Sequence, residues 1–455
     1  MSKAAVSPLT QHLAGYIAGA LRRDLPADVV AKTKLHVLDT IAAMLSGARL
    51  KPGERAAAYV DRLGGRAEAT VVGTPIVTSA VNAALANGMA AHADETDDSH
   101  LGGLFHPGCG VVPAALAVAE QAGRSGNDLI RAVALGYDLG ARIAPALGLR
   151  RSDTASHSSH SLGALFGAAA AAAALLRLDE TQVRHVLSYT TQQASGIAFW
   201  SRDREHIEKA FDFGGMGARN GVAAATMVAA GFTAVDDPLD GTHNLFTALG
   251  AAAAPDELVA GLGSRFEIMR ASIKKWCVGS PIQAALDAIT LLMAEHALAA
   301  ATVRRIVVEM PDDRLHIVDN RTIPDICLQH LLALTLADGG LSFATAHDEA
   351  RMSDPAVRAV RRRIEVVPSA ELTAAVPARQ AAVAIETTDG RKLRHRTVAV
   401  RGTPDNPMSV AEVEAKARDL AVPVIGQARV QRLIATLAGL EQVKSAAELR
   451  PLLQA

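Results

Sequence analysis

The polar residues of this 455-residue chain concentrate in one stretch, Ala91-His92-Ala93-Asp94-Glu95-Thr96-Asp97-Asp98-Ser99-His100-Leu101-Gly102-Gly103-Leu104-Phe105-His106-Pro107-Gly108. Four carboxylates and three imidazoles fall within fifteen positions, between two apolar segments. Such a run is costly to hold beside a core unless something uses it, because buried polar groups need partners. Three uses fit the residue types. Glu95, Asp97, Asp98 and Ser99 with His92 or His100 could bind a divalent cation, although no recognised ligand spacing is present. The carboxylates could instead orient catalytic imidazoles. A solvated loop is the third reading.

His106 stands where the stretch ends. Pro107 holds its backbone extended, and Gly108-Cys109-Gly110-Val111-Val112 starts a helix whose free N–H groups favour an anion. A histidine there can act as acid, base or hydrogen-bond donor to a carboxylate; it can also be a helix-entry residue bonded to a neighbouring acid. His160 opens an Ala-rich helix after the polar run Ser156-His157-Ser158-Ser159, a position that suits either a bound carboxylate or a cap. Lys209, in Glu208-Lys209-Ala210-Phe211-Asp212-Phe213, and Lys274, in Ser272-Ile273-Lys274-Lys275-Trp276, lie beside aromatics. Such lysines can anchor carboxylates or act as bases when desolvated, though most lysines are simply solvated. Lys274 also falls at an inferred domain junction, where ligand clefts tend to form.

Other chemistries leave no trace. There is no Walker loop, strand-linked GxGxxG, GxSxG or HExxH. Cys109, Cys277 and Cys327 form no CxxC pair, which argues against a disulfide framework, a cysteine zinc site or an iron–sulfur cluster, and favours buried thiols. With Lys plus Arg at 46 and Asp plus Glu at 47, a net charge of −1 gives no reason to expect nucleic acid or an anionic membrane as partner. Met1-Ser2-Lys3-Ala4-Ala5-Val6-Ser7-Pro8 lacks the apolar run of a signal peptide. Leu162–Leu176 is too short for a membrane span. A cytoplasmic protein is expected.

The elements that must position these residues are mostly helical. Aromatics make up only 3% of the chain, so its core must be built from Ala, Leu, Val and Ile. Apolar periodicity and Gly/Pro punctuation predict helices around residues 9–21, 26–47, 56–63, 79–92, 111–121, 128–147, 161–176, 180–193, 213–230 and 255–262. The pattern then changes. Val303–Met310 and Ile364–Val367 read as strands, and Ala381–Thr387 with Leu393–Val400 as a hairpin about Asp389-Gly390. Helices at 281–297, 326–337 and 355–363 are interleaved with them, and helices return at 410–420, 427–437 and 445–453. The fold class expected is mainly α: a large all-helical domain from both chain ends (1–266 and 404–455), with a smaller α+β domain (267–403) inserted.

Several segments taken in order resemble the MmgE/PrpD family over nearly the whole chain. They are Leu38-Asp39-Thr40-Ile41-Ala42, Ala91-His92-Ala93, Asp97-Asp98-Ser99-His100, His106-Pro107-Gly108, His160-Ser161-Leu162-Gly163, Lys209 with its Gly-rich helix, Ala230-Gly231-Phe232-Thr233, and Lys274 through Ala288. The resemblance implies the same helical domain with an α+β lid, a homodimer, and an active site between the domains. It places His106, His160, Lys209 and Lys274 on active-site positions and Glu95 and Ser99 on loop positions beside them, with Asp98 adjoining. Two departures stand out. Gln283 occupies a position where many members have histidine. Ile326-Cys327 and His330 stand where many have a His-Ser pair and a tyrosine.

The chemistry so implied needs no metal and no cofactor. A proton moves next to a carboxylate, and cations stabilise the enolate that builds up. On this expectation Lys209, Lys274 and His160 bind the carboxylates of a small-molecule substrate and His106 transfers the proton. Asp98 and Glu95 would orient imidazoles and Ser99 would hydrogen-bond substrate. The leading expectation is a lyase, a dehydratase or decarboxylase of a di- or tricarboxylate. An epimerase of a carboxylate-bearing acid is the rival. A non-catalytic carboxylate-binding protein is the third reading.

Overall fold

The computed structural model describes residues 6–149, 157–250 and 252–455. Met1–Ala5 of the N-terminal stretch and Ser156 of the run before His160 lie outside them. Helix accounts for 61% of the structure and strand for 9%, so the chain is mainly α. It divides into two compact units. The first is formed by residues 1–93, 97–271 and 413–455, the second by Asp94–Thr96 and Ser272–Glu412. No described helix is long and apolar enough to cross a membrane.

The first unit opens with α1 (Pro8–Gly19), α2 (Ala27–Gly47) and α3 (Lys51–Leu63), then a two-residue hairpin of β1 (Ala69–Thr70) and β2 (Val77–Thr78). It continues through α4 (Ala80–Ala91), α5 (Pro107–Gln121), α6 (Gly126–Ala146), α7 (Ser159–Leu175), α8 (Glu180–Gln192), α9 (Ile207–Ala210) and α10 (Met216–Ala229). In α7 every residue except His160 is buried, as an Ala-rich helix without a polar face requires. It packs against α5, α6 and α10. Small side chains let the axes approach: a Cβ added at Gly217 on α10 would lie 2.6 Å from the Cβ of Ala164 on α7. That leaves His160, at the N-terminal end of α7, as the residue of this helix that reaches out of the core.

Two differences from the sequence expectation bear on the site. The helix expected from Val111 begins at Pro107, because proline is preorganised for the first helical position. The helix expected from Phe213 begins at Ile207 and passes through a π-helical segment, Phe211–Gly215, before α10. Such wide turns are frequent at functional sites. Pro255–Leu258 is a single 3-10 turn rather than a helix to Leu262.

The second unit carries a four-stranded sheet. Its strands are β3 (Val303–Pro311), β4 (Ile364–Ser369), β5 (Ala381–Thr387) and β6 (Lys392–Thr397), in the order β4-β3-β5-β6. β3 runs parallel to β4 and antiparallel to β5; β5 and β6 form the Asp389-Gly390 hairpin. Val303, Ile306, Val308 and Met310 alternate into a core shared with Leu328, Leu331, Leu332, Val383 and Ile385. The intervening positions carry charge: Arg305 pairs with Glu365, and Arg394 lies 3.1 Å from Glu309. The sheet therefore has one apolar face, packed by helices Gln283–His296 and Leu328–Asp338, and one hydrated face.

Candidate active site

Asp97 is the centre of the polar cluster in the first unit. Its carboxylate is fully buried and accepts from two imidazoles, His92 Nδ1 at 2.9 Å and His106 Nδ1 at 3.0 Å. Burial alone would raise this carboxyl; the charges of His92 and His106 and their hydrogen bonds overcome it and hold Asp97 well below the usual carboxylate range. With Nδ1 of both rings facing Asp97, each ring turns Nε2 the other way. The His106 side chain keeps 11% of its surface, whereas His92 keeps none.

Phe213 is the floor of this cluster. The His160 ring stacks on it at 3.7 Å and 12°, and the His92 ring at 4.3 Å and 17°. The π-helical segment supplies Phe213, and Gly214 lets it lie against α4: a Cβ there would sit 2.3 Å from the Gly88 carbonyl oxygen. Lys209 Nζ lies 5.2 Å from the centre of the Phe213 ring and 5.7 Å from that of Trp200. Burial first, then the positive charges of His106, His92 and Lys209, push the His160 pKa well below 6.5. His160 is therefore neutral, and its Nδ1 has no hydrogen-bond partner among the described residues. A neutral imidazole can accept a proton or donate one hydrogen bond, so His160 would meet a carboxylate as a hydrogen-bond donor rather than as a cation. His206, at φ +60°, precedes α9, and its ring lies 5.2 Å from that of His92. Sequence reading named His92 only as a possible metal ligand and did not single out His206.

Asp98 points elsewhere. Its Oδ2 accepts from Tyr137 Oη at 2.6 Å and sits 2.7 Å from His36 Nδ1; its Oδ1 accepts from the Gly108 N–H at 2.8 Å. The residue is fully buried. Burial, against the pull of Asp98, lowers the His36 pKa to about 4. Asp98 therefore holds an imidazole, as expected, but that of His36, and it ties the loop to α2, α5 and α6. Nearby on α2, Asp39 forms a buried pair at 2.6 Å with Lys416 of the helix Val410–Ile425. Ser99 is buried, and its hydroxyl has no hydrogen-bond partner among the described residues. His100 accepts at Nδ1 from the Gly103 N–H at 2.8 Å and turns Nε2 to Glu267 at 3.3 Å, within a cluster of Arg265 and Arg270.

Glu95 and Lys274 meet in the second unit. Lys274 Nζ donates to the Glu95 carbonyl oxygen at 2.7 Å and lies 3.6 Å from its carboxylate. Asp94, one residue earlier, accepts from Thr96 and pairs with His347 Nε2 at 2.7 Å. Gln283 is a brace: it accepts from the Trp276 N–H at 3.1 Å and donates to the Trp276 and Val278 carbonyls at 2.8 and 3.0 Å. It thus fixes the turn that follows Lys274. His330 is fully buried, and burial lowers its pKa to about 4.

The ligand atoms of His92, Asp97 and His106 lie within 4.8 Å of one another, a spacing that could hold a divalent cation. The Nδ1 atoms of both imidazoles also bond to the Asp97 carboxylate. The structure thus brings His106, His160 and Lys209 together in one unit, and Glu95 and Lys274 together in the other. What the first group can do is move a proton at His106 Nε2 beside a lysine charge, on a water-poor aromatic floor.

Comparison with known proteins covers nearly the full length of the chain. The chain is 26% identical to the cis-aconitate decarboxylase-like protein oryM of Aspergillus oryzae, over 98% of this chain and 97% of that protein. It is 26% identical to cis-aconitate decarboxylase of Aspergillus terreus, over 99% and 96%, and 25% identical to that of Homo sapiens, over 98% and 94%. Residues 11–257 match the MmgE/PrpD N-terminal domain and residues 276–442 the MmgE/PrpD C-terminal domain, and the chain belongs to the MmgE/PrpD family.

Proposed function

We propose that this chain is a cofactor-independent lyase acting on a small di- or tricarboxylate by proton transfer next to a carboxylate. The observation that carries the reading is His106, held at Nδ1 by buried Asp97 while its side chain keeps 11% of its surface. The names of the full-length relatives favour decarboxylation over dehydration.

In a decarboxylation the C–C bond to one carboxylate breaks, CO2 leaves, and its bonding electrons pass into an enolate on the neighbouring carboxylate. The protonated His106 imidazole then delivers a proton to carbon, and Asp97 stabilises the imidazolium before transfer. Lys209 and Lys274 supply positive charge to substrate carboxylates and to the enolate. Neutral His160 serves as a hydrogen-bonding group, and Ser99 offers a free hydroxyl. A homodimer belongs to the same proposal, and sedimentation would give twice the chain mass of 47.3 kDa.

The test is proton NMR in D2O with citrate-, aconitate-, tartrate- and aspartate-like acids. The expected result is consumption of one acid with loss of CO2 or water and deuterium in the product, abolished in His106→Ala. Exchange of the substrate proton with no fragment lost would make the protein an epimerase. Ligand-induced thermal stabilisation with no turnover of any acid would sink the lyase reading.

A further inference from the structure

Ser158 stands at the N-cap of α7, where a serine hydroxyl ordinarily accepts from a backbone N–H of the first turn. Among the described residues no such N–H donates to it; the hydroxyl donates instead to the carboxyl of Asp212. Both residues are buried. Asp212 belongs to the π-helical segment Phe211–Gly215 and directly precedes Phe213. Ser158 lies one turn ahead of the buried face of α7, just before His160. The Ser158–Asp212 bond is thus a side-chain link between the two elements whose rings, His160 and Phe213, stack at 3.7 Å.

A third segment closes on the same carboxyl. The Ser158 N–H donates to the Gly196 carbonyl at 3.1 Å, and Ser161 Oγ donates to that of Ser195 at 2.7 Å. Gly196 adopts φ +124°, and a Cβ there would lie 1.8 Å from Ser161 Oγ and 3.0 Å from Asp212 Oδ1, an approach that suits glycine. The chain then enters the 3-10 turn Ala198–Arg202, whose Trp200 meets the Phe213 ring edge-on at 4.7 Å and the His160 ring at 5.5 Å. Asp212 therefore sits where the segments carrying His160, Trp200 and Phe213 come together. Burial pushes its carboxyl up to about 7, with the Ser158 bond opposing and Glu208 adding. Protonated or ionised, it can accept the Ser158 hydroxyl.

We propose that Asp212 is a positioning residue for the proton transfer: through Ser158 it fixes the first turn of α7 and so sets the His160 ring on Phe213. It acts through Ser158 rather than on substrate. Stacked rings can slide, because each atom contact is weak and non-directional, whereas a hydroxyl–carboxyl bond has a defined length and angle. A displacement on the order of 1 Å at a group that meets substrate can cost about 10²-fold in rate. This inference rests on the carboxylate-lyase reading.

The experiment is a double-mutant cycle on the full-length protein. Asp212→Ala and Ser158→Ala each remove the link, and Asp212→Asn keeps an acceptor for the Ser158 hydroxyl. Steady-state kinetics on cis-aconitate should give a kcat per folded molecule about ten- to a hundredfold lower in either alanine variant, with KM little changed. The double variant should be no worse than the single ones, because the two residues act as one unit. Asp212→Asn should recover most of kcat. A second readout needs no turnover. In protein carrying isotope-labelled histidine, the His160 ring-proton resonance, identified by its absence from His160→Asn, should lie upfield because the ring stacks on the face of Phe213. It should move downfield in both alanine variants and stay in place in Asp212→Asn. Ser158→Ala reads the link if Asp212→Ala does not fold. Wild-type kcat in a folded alanine variant, or a His160 resonance that does not move, overturns the assignment. A wild type that converts none of the acids fails the lyase reading instead, and the resonance then tests the assignment alone.

Discussion

Asp97 and Asp98 are neighbours that build the same device to different ends. Each buries a carboxylate and holds a histidine by Nδ1, at 3.0 Å for His106 and 2.7 Å for His36. The His36 assembly is closed: Tyr137 and the Gly108 N–H fill the remaining carboxylate positions, and the ring has no exposed surface. The His106 assembly shares Asp97 with His92, and the His106 side chain keeps 11% of its surface. A third pair, Asp94 with His347, lies in the second unit and is charged, with burial opposed and outweighed by Asp94 so that the His347 pKa rises to about 9. The lesson is that a carboxylate–imidazole pair is not by itself a catalytic signature. What separates the three is whether the far nitrogen can be reached and what else shares the carboxylate.

The largest expected effect breaks the open pair. His106→Ala should lower kcat by about 10²- to 10⁴-fold, the range for a lost acid–base group, with an unchanged melting temperature. Asp97→Asn should cost kcat more than it raises KM. A His106→Ala variant that turns over at the wild-type rate would undo the comparison. Breaking the closed pair should do the reverse. Asp98→Ala strands His36 and Tyr137 in the core and should cost about 3–5 kcal/mol of stability. Activity per folded molecule should be much less affected than in His106→Ala, as denaturant melts paired with active-fraction measurements would show.

The charged pair gives a pH dependence. The His347 pKa moves from 6.5 to about 9 on folding, so the folded state binds the proton more tightly. The stability it contributes is complete below about pH 6.5 and is lost as pH rises through about 9. The difference in melting temperature between the wild type and His347→Gln should therefore shrink between pH 6.5 and 9.5. A constant difference would show that the pair is neutral. The smallest effect is expected at Ser99, where Ser99→Ala removes one hydrogen bond to substrate. It should raise KM by about fivefold, on the order of 1 kcal/mol, with stability unaltered.

Much of this was legible before the fold was known. Periodicity marked the helices, β-branching marked β3, and Asp-Gly marked the β5–β6 turn. His106, His160 and Lys209 were singled out, and they do converge. The failures concern direction. Asp97 and Asp98 lie in an irregular loop with a bend at Asp97, so the sequence names an Asp-Asp pair without saying which member holds which imidazole. Asp98 was chosen where Asp97 holds His106. The deciding partners, His36 and Tyr137, lie 62 and 39 residues away. The protonation of His160 was beyond reach for a related reason. It depends on burial against Phe213 and on three neighbouring cations, none of which spacing reveals. Gln283 stood out only as a departure from the histidine of many relatives, and its three backbone bonds, which brace the Lys274 turn, appear only in three dimensions.

One feature bears on how such chains can be recombined. Asp94–Thr96 belong to the second unit although nearly 180 residues separate them from Ser272. A chimera that exchanges residues 272–412 between relatives therefore cuts through a shared module. Lys274 would face a foreign Glu95 carbonyl and His347 a foreign Asp94. Inheritance of this unit is discontinuous, and a working graft must carry the tripeptide along with the domain.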